Sequence, residues 1–396
     1  MKRKSFSTGK KHRACFSLSI CTPPRRQMEV IMKKKLLSVL LVLCMVFAVL
    51  ATGCSTDTSK EEPTGTPDKA EATKAAEPTK APEATEPAEL QKVTLQLKWL
   101  PQSQFMGYYV AQEKGYYAEE GIEIEILPGG SDIIPEQQVY NGVADIGVTW
   151  VSSLLKYQSQ GWELTHVGQI FQKSAMLLVS KAATGINSPA DLAGKKVGSW
   201  FGGNEYEIYA LLEANGLDKD KDLELVQQDY TMNQIIGGEI DAASAMTYNE
   251  YGLLLESGLT DADLKVLDMN DAGVAMLEDC LFVNSEWIAE NEDLYVRFLK
   301  ASIKGWADAC ADPEAAGNTV FNVDQSVSLD HQIYMAKEVA KLVVPEGFDA
   351  ANIGYIDMDA IGQTADLALK YGLLTEAAVL DDTTITSKYW EQAVAK

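Results

Sequence analysis

From about residue 91 onward, short runs of alternating apolar and polar residues are separated by stretches with helical spacing. Val93, Leu95 and Leu97 alternate with Thr94, Gln96 and Lys98, which predicts a half-buried strand. Ile122, Ile124 and Ile126 against Glu123 and Glu125 predict a second. Between them, residues 105–114 fit a short helix closed by Gly115 at its C-cap, completing a βαβ unit. The alternation continues with a helix over 134–142, a buried strand over 144–148, a helix over 154–160 and a strand over 164–169, and residues 176–180 continue outward from it. Ser188 and Pro189 form a helix-start signal, and a strand over 195–200 leads into a helix over 206–215 closed by Gly216. Similar units follow at 223–228, 231–237, 242–246 and 250–257, with strands at 264–267 and 280–284. Repeated βα units of this kind predict α/β architecture with largely parallel sheets.

In open α/β sheets, ligands bind beyond the carboxyl ends of the strands. The turns at those ends carry unusual side chains here. Trp99, Gln104 and Tyr108 follow the first strand, and Trp150 follows the strand over 144–148. Trp200, Asn204 and Glu205 follow the strand over 195–200, and Tyr248, Asn249 and Glu250 follow that over 242–246. Indole is large and its N–H needs a partner, so three tryptophans at equivalent strand ends favour a pocket wall over a core. These ten residues are the candidate ligand-binding set. Gly202 and Gly203 before a helix could cradle a phosphate, but Glu205 in that first turn opposes an anion. No Arg falls in the candidate turns, and the alternation puts Lys98 on the opposite strand face. The expected ligand is an uncharged or weakly cationic ring read by Asn, Gln and Glu at its polar edge.

The first ninety residues lack this pattern. Residues 1–53 read as a signal region whose true start is Met32 or Met28, with Lys33, Lys34 and Lys35 before an apolar run over 36–50. A run of fifteen residues, apolar but for Ser38, is short for a membrane span, which needs about 20. Gly53 and Cys54 then predict lipidation at Cys54. Residues 55–89 contain no aromatic, Leu, Ile or Val, so residues 54–90 read as a lipidated disordered tether. Its reach is about 30–35 Å by the square-root rule. The expected location is outside the cytoplasm, lipid-anchored on the outer face of the cell membrane or in a periplasm.

The chain of 396 residues carries a net charge of −23. Residues 1–53 hold eleven Lys and Arg against one Glu, so their removal takes the net charge to −33. Such an acidic chain excludes the basic footprint of a nucleic-acid binder. Beyond Cys54 the cysteines are Cys280 and Cys310 and the histidines are His166 and His331. No CxxC pair and no nucleophile motif occurs, so neither a metal nor a cofactor is expected.

The run WLPQSQFMGYYVAQEKGYYAEEGIEIEI, beginning at Trp99, resembles the start of ABC-importer solute-binding proteins of the thiamine-pyrimidine and sulfonate-binding family (NMT1/THI5-like, SsuA-like). The resemblance covers about residues 92 to 345. PQSQFMGYYVA, WFGGNEYE and AMTYNE look most like the riboflavin-binding branch. It implies a two-lobed, type II periplasmic-binding-protein fold that closes on its ligand about a hinge. On that plan residues 91–181 open lobe one, 182–283 form lobe two, and 284–396 complete lobe one with C-terminal helices. The implied partners are a small-molecule ligand and an ABC permease with its ATPase, the protein itself being a monomer held to the membrane through its lipid. Riboflavin is the leading ligand, because so many ring-bearing turns suit a fused tricycle better than one pyrimidine. Formylaminopyrimidine or hydroxymethylpyrimidine comes second. Taurine, another sulfonate or nitrate is disfavoured, since no cations converge on the turns. The thiamine-pyrimidine synthases of the same family would require a cysteine-rich iron-binding segment with a pocket His and Lys. Residues 273–280 read GVAMLEDC, with one cysteine, so the expectation is a binder and not an enzyme. A surface adhesin would leave the aromatic turns without a purpose.

Overall fold

The computed structural model describes residues 89–201, 203 and 205–395. The signal region, Cys54, the tether through residue 88 and the candidate Asn204 lie outside the described residues. In chain order the principal elements begin with β1 (Gln91–Gln96), α1 (Met106–Glu113), β2 (Ile122–Leu127), α2 (Pro135–Tyr140), β3 (Ile146–Thr149), α3 (Val151–Ser159) and β4 (Leu164–Gln169). The chain then crosses over to β5 (Met176–Lys181), β6 (Lys196–Ser199), α4 (Glu205–Ala214), β7 (Glu224–Gln227), β8 (Ala242–Met246), α5 (Glu250–Glu256) and β9 (Leu264–Asp268). It returns through β10 (Cys280–Asn284) to α6 (Glu292–Ala311), α7 (Leu329–Val343) and α8 (Met358–Lys370).

Two five-stranded sheets result, ordered β2-β1-β3-β10-β4 and β7-β6-β8-β5-β9. The opening βαβ unit pairs in parallel as its alternation requires, with Val93 opposite Ile124 and Leu95 opposite Ile126. Neither sheet is wholly parallel. β10 runs antiparallel to β3 and β4, and β5 runs antiparallel to β8 and β9. Each of these strands enters its sheet from the other lobe, so its amino end lies where its neighbours' carboxyl ends lie. The same pairing corrects the lobe boundaries. β5, expected in lobe one, is bonded into the second sheet, and β10, expected in lobe two, is bonded into the first. The boundaries at 181/182 and 283/284 therefore fall one strand late on each side.

The crossing segments are tied together by buried carboxyl groups. Glu207 of α4 accepts from Met276 N–H at 2.7 Å and from the Ser174 hydroxyl at 2.9 Å. Glu278 accepts from Ala175 N–H at 3.1 Å, and its other oxygen also faces Ser174 Oγ, at 3.2 Å. One hydroxyl proton cannot serve both carboxyl groups, so a proton held by the pair completes the set. Burial pushes Glu207 up to about 8, and burial with repulsion from Glu207 pushes Glu278 well above the ordinary carboxyl range.

After β10, α6 packs against α1 of lobe one. α6 crosses α1 so closely that a Cβ on Gly107 would lie 2.0 Å from the Trp306 ring, and one on Gly305 would lie 2.3 Å from the Gly107 carbonyl oxygen. These two glycines let the helices meet and seat Trp306 in the core. Cys280 and Cys310 are free thiols.

Candidate ligand-binding site

A cavity of about 160 Å³ lies between the lobes at the carboxyl ends of the parallel strands. Lobe one contributes Lys98, Trp99, Gln102, Gln104 and Trp150; lobe two contributes Trp200, Phe201, Tyr230, Met246, Tyr248, Asn249 and Glu250. Seven of the ten candidates line it: Trp99, Gln104, Trp150, Trp200, Tyr248, Asn249 and Glu250. Each is delivered by a strand end. β1 stops at Gln96 and the chain bends through Trp99, while Trp150 is the N-cap residue of α3 and Asn249 that of α5.

Aromatic faces meet across the opening. Trp99 of lobe one lies 5.2 Å from Tyr230 of lobe two, tilted by 48°. Trp200 is held by a 2.8 Å hydrogen bond from its indole N–H to the Asp229 carbonyl, and Tyr248 stands edge-on to Phe171 at 6.0 Å. Gly203 approaches the Trp150 ring from lobe two.

Polar groups form a chain at each end. Gln102 donates to Gln104 at 3.0 Å, and Gln104 donates to Asp279 at 2.8 Å. Burial lifts Asp279 to about 7, opposed by the Gln104 hydrogen bond and by Lys98, and its φ of 33° is strained for a residue with a Cβ. On the lobe-two side, Glu250 accepts from Met246 N–H at 3.0 Å and from the Asn249 amide at 2.8 Å; burial lifts it to about 7. Behind it, His331 of α7 bridges the lobes, with Nε2 2.9 Å from Asn249 Oδ1 and Nδ1 2.7 Å from Glu256. The Tyr334 hydroxyl donates to the Thr247 carbonyl at 2.8 Å in the same interlobe contact.

Three expectations fail. Tyr108 is 1% exposed and packs edge-on to Trp306 at 5.3 Å, because α1 turns that face toward α6; it is a core residue. Glu205 does not line the cavity, since its carboxylate accepts from Gly203 N–H at 2.7 Å within the turn. Lys98 does line it, with Nζ 5.1 Å from the centre of the Trp150 ring. The alternation that placed Lys98 on the far face ends with the strand at Gln96. Tyr230 and Phe201 were missed, although both sit in strand-end turns where the same logic applies.

A second cavity of about 150 Å³ adjoins the first and shares Lys98. Its wall includes Ile133, Ile134, Glu136, Ser152, Ser153, Lys156 and Gly203. Among the described residues, no group of three or more His, Cys, Asp or Glu could hold a metal ion.

Comparison with known proteins places this geometry. The NMT1/THI5 like family model matches residues 102–316. The riboflavin-binding protein RibY of Chloroflexus aurantiacus is 30% identical over 282 residues, covering 70% of this chain and 75% of that one. The formylaminopyrimidine-binding protein of Halalkalibacterium halodurans is 25% identical over 244 residues, covering 60% and 72%. A 4-amino-5-hydroxymethyl-2-methylpyrimidine phosphate synthase of Saccharomyces cerevisiae, THI13, is 27% identical over 239 residues, covering 57% and 69%. In fold, the chain is similar to the periplasmic aliphatic sulphonate binding protein SsuA of Escherichia coli, with a TM-score of 0.59 at 17% identity over 73% of this chain and 95% of that one. Two lobes of this topology, an aromatic cavity between them and a family match over more than half its length mean that the chain belongs to the NMT1/THI5-like family.

Proposed function

We propose that the protein is an extracytoplasmic, lipid-anchored substrate-binding component of an ABC importer that captures riboflavin between its lobes for delivery to a membrane permease and its ATPase. The observation that carries this is the interlobe cavity with ring-bearing side chains on both walls: Trp99 and Trp150 on one, Trp200, Tyr230 and Tyr248 on the other. A fused tricycle offers two faces to such walls, and each aromatic contact adds about 0.5–1.5 kcal/mol beyond area burial. Glu250, Asn249 and Gln104 supply acceptors and donors for a ring's polar edge. The likeness to RibY supports the same ligand.

A formylaminopyrimidine-type thiamine precursor is the second reading, supported by the likeness to the Halalkalibacterium protein. Lys98 does not make the cavity an anion site by itself, because it lies over Trp150 and acts on the buried Asp279. The pyrimidine synthases are implied by the resemblance to carry a cysteine-rich segment, and residues 273–280 of this chain read GVAMLEDC with one cysteine, which favours the binding reading. The test is the absorbance spectrum of the purified protein, followed by titration with riboflavin and formylaminopyrimidine. Flavin absorbance or quenching of riboflavin fluorescence is the expected result; saturable binding of the pyrimidine alone would replace it with the second reading. Single-turnover formation of a pyrimidine product with iron, pyridoxal phosphate and oxygen would overturn the binding assignment.

A further inference from the structure

The second cavity holds a group that ring binding does not use. Glu136, at the start of α2, is 1% exposed. One carboxylate oxygen accepts from the Thr149 hydroxyl at 2.6 Å; the other, Oε2, has no hydrogen-bond partner. A buried carboxylate oxygen without a donor is costly, so such a group calls for a ligand that brings one.

The rest of the wall says which kind. Lys98 and Lys156 offer ammonium donors, Ser152 and Ser153 offer hydroxyls that both donate and accept, and Glu136 only accepts. An apolar extension would leave the Glu136 oxygen unmet and make no use of the lysines and serines. A phosphate presents acceptors alone and would meet the Glu136 oxygen with like charge. A chain of hydroxyls, each donor and acceptor at once, satisfies the mixture. The cavity adjoins the aromatic one through Lys98, and a space of about 10 Å³ is lined by Trp150 from the first and by Ser152 and Gly203 from the second. A substituent leaving the ring beside Trp150 therefore has a polar place to enter.

We infer that this cavity is the subsite for a polyhydroxylated tail carried by the ring ligand, with Glu136 Oε2 accepting a hydrogen bond from one of its hydroxyls. The inference rests on the ring reading proposed above and extends it from the ring to the tail.

The test is titration of the purified protein with riboflavin, with lumiflavin, which keeps the ring and replaces the tail by a methyl, and with flavin mononucleotide, whose tail ends in phosphate. Riboflavin should bind at least about tenfold tighter than lumiflavin. Glu136→Gln should remove most of that advantage by weakening riboflavin and not lumiflavin. Ser152→Ala should shift the same ratio, by about threefold, and provides the reading if Glu136→Gln does not fold. Equal affinity for riboflavin and lumiflavin in the unaltered protein overturns the tail subsite while leaving the ring reading intact. An equal loss for both ligands in the variants makes Glu136 a structural residue and overturns it too, and flavin mononucleotide binding tighter than riboflavin makes the cavity an anion site. If neither tricycle binds, the ring reading falls and the subsite falls with it.

Discussion

The crossing and the second cavity lie side by side, and the buried carboxyl groups Glu207 and Glu278 of the one and Glu136 of the other are met in opposite ways. At the crossing, Glu207 and Glu278 are met by Met276 N–H, Ala175 N–H and the Ser174 hydroxyl, all from the two segments that join the lobes. In the cavity wall, Glu136 has one oxygen met by Thr149 and one without a partner. Buried polar groups in folded proteins are nearly always satisfied. A closed set of bonds therefore belongs to the scaffold, and an open valence on a cavity wall belongs to what the cavity is for.

That contrast can be broken at several points. The largest expected effect is on stability at the crossing. Glu207→Ala leaves the buried Met276 N–H without its acceptor, at about 1–3 kcal/mol, and opens a cavity where a buried side chain stood, so the variant should lose about 2–5 kcal/mol in denaturant unfolding even with the Ser174 hydroxyl still donating to Glu278. Unchanged stability would mean that the crossing is not held by its carboxyl groups. On the cleft side the loss should appear in binding instead. Trp99→Ala or Trp150→Ala should weaken riboflavin by about 2–4 kcal/mol, roughly 30- to 1,000-fold, in titration calorimetry. The folding midpoint should stay close to that of the unaltered protein, since both side chains are only partly buried. If both variants bind normally, the rings are packing residues and the contrast collapses.

Acidity sharpens the comparison further. Glu207 titrates near 8 when folded, against about 4.5 for an ordinary glutamate, because burial disfavours its charged form. Between those values the folded chain holds a proton that the unfolded chain has released, so stability should fall as pH rises through this window. Glu278 is shifted in the same direction. Thermal melts from pH 5 to pH 9 should show the decline, and Glu207→Gln should flatten it; an identical slope in both proteins would refute the assignment. The smallest effect is expected at the interlobe bridge. His331→Gln should weaken ligand binding by about 1 kcal/mol, roughly fivefold, with the preference among ring analogues unchanged. A changed preference would place His331 in the recognition edge and not behind it.

Much of this was legible from local pattern. Alternation located β1 and β2, and strand ends followed by Trp, Tyr, Asn or Glu located most of the aromatic cavity. What escaped depends on distant partners. β5 reads MLLVSK, a buried run that would suit either sheet, and only its pairing with β8 and β9 assigns it to lobe two. Tyr108 sits among true wall residues in sequence, but Gly107 and Gly305 bring α6 onto its face of α1. Lys98 was misplaced by extending a two-residue period past the last strand residue. Glu136 carries no local signal, since a glutamate early in a helix ordinarily serves the helix dipole.

The position of the two crossing strands also fixes where the molecule can bend. β10 is laced between β3 and β4, and β5 between β8 and β9, so each has ladder bonds along both edges. A strand clamped on two sides cannot slide or peel without breaking its sheet. Any swing of one lobe is thereby refused by the strands and passed into the few residues that precede them, residues 170–175 and 274–279. Among the described residues, the bending of one lobe against the other is concentrated in two short cords running side by side, much as a door turns only at its pins.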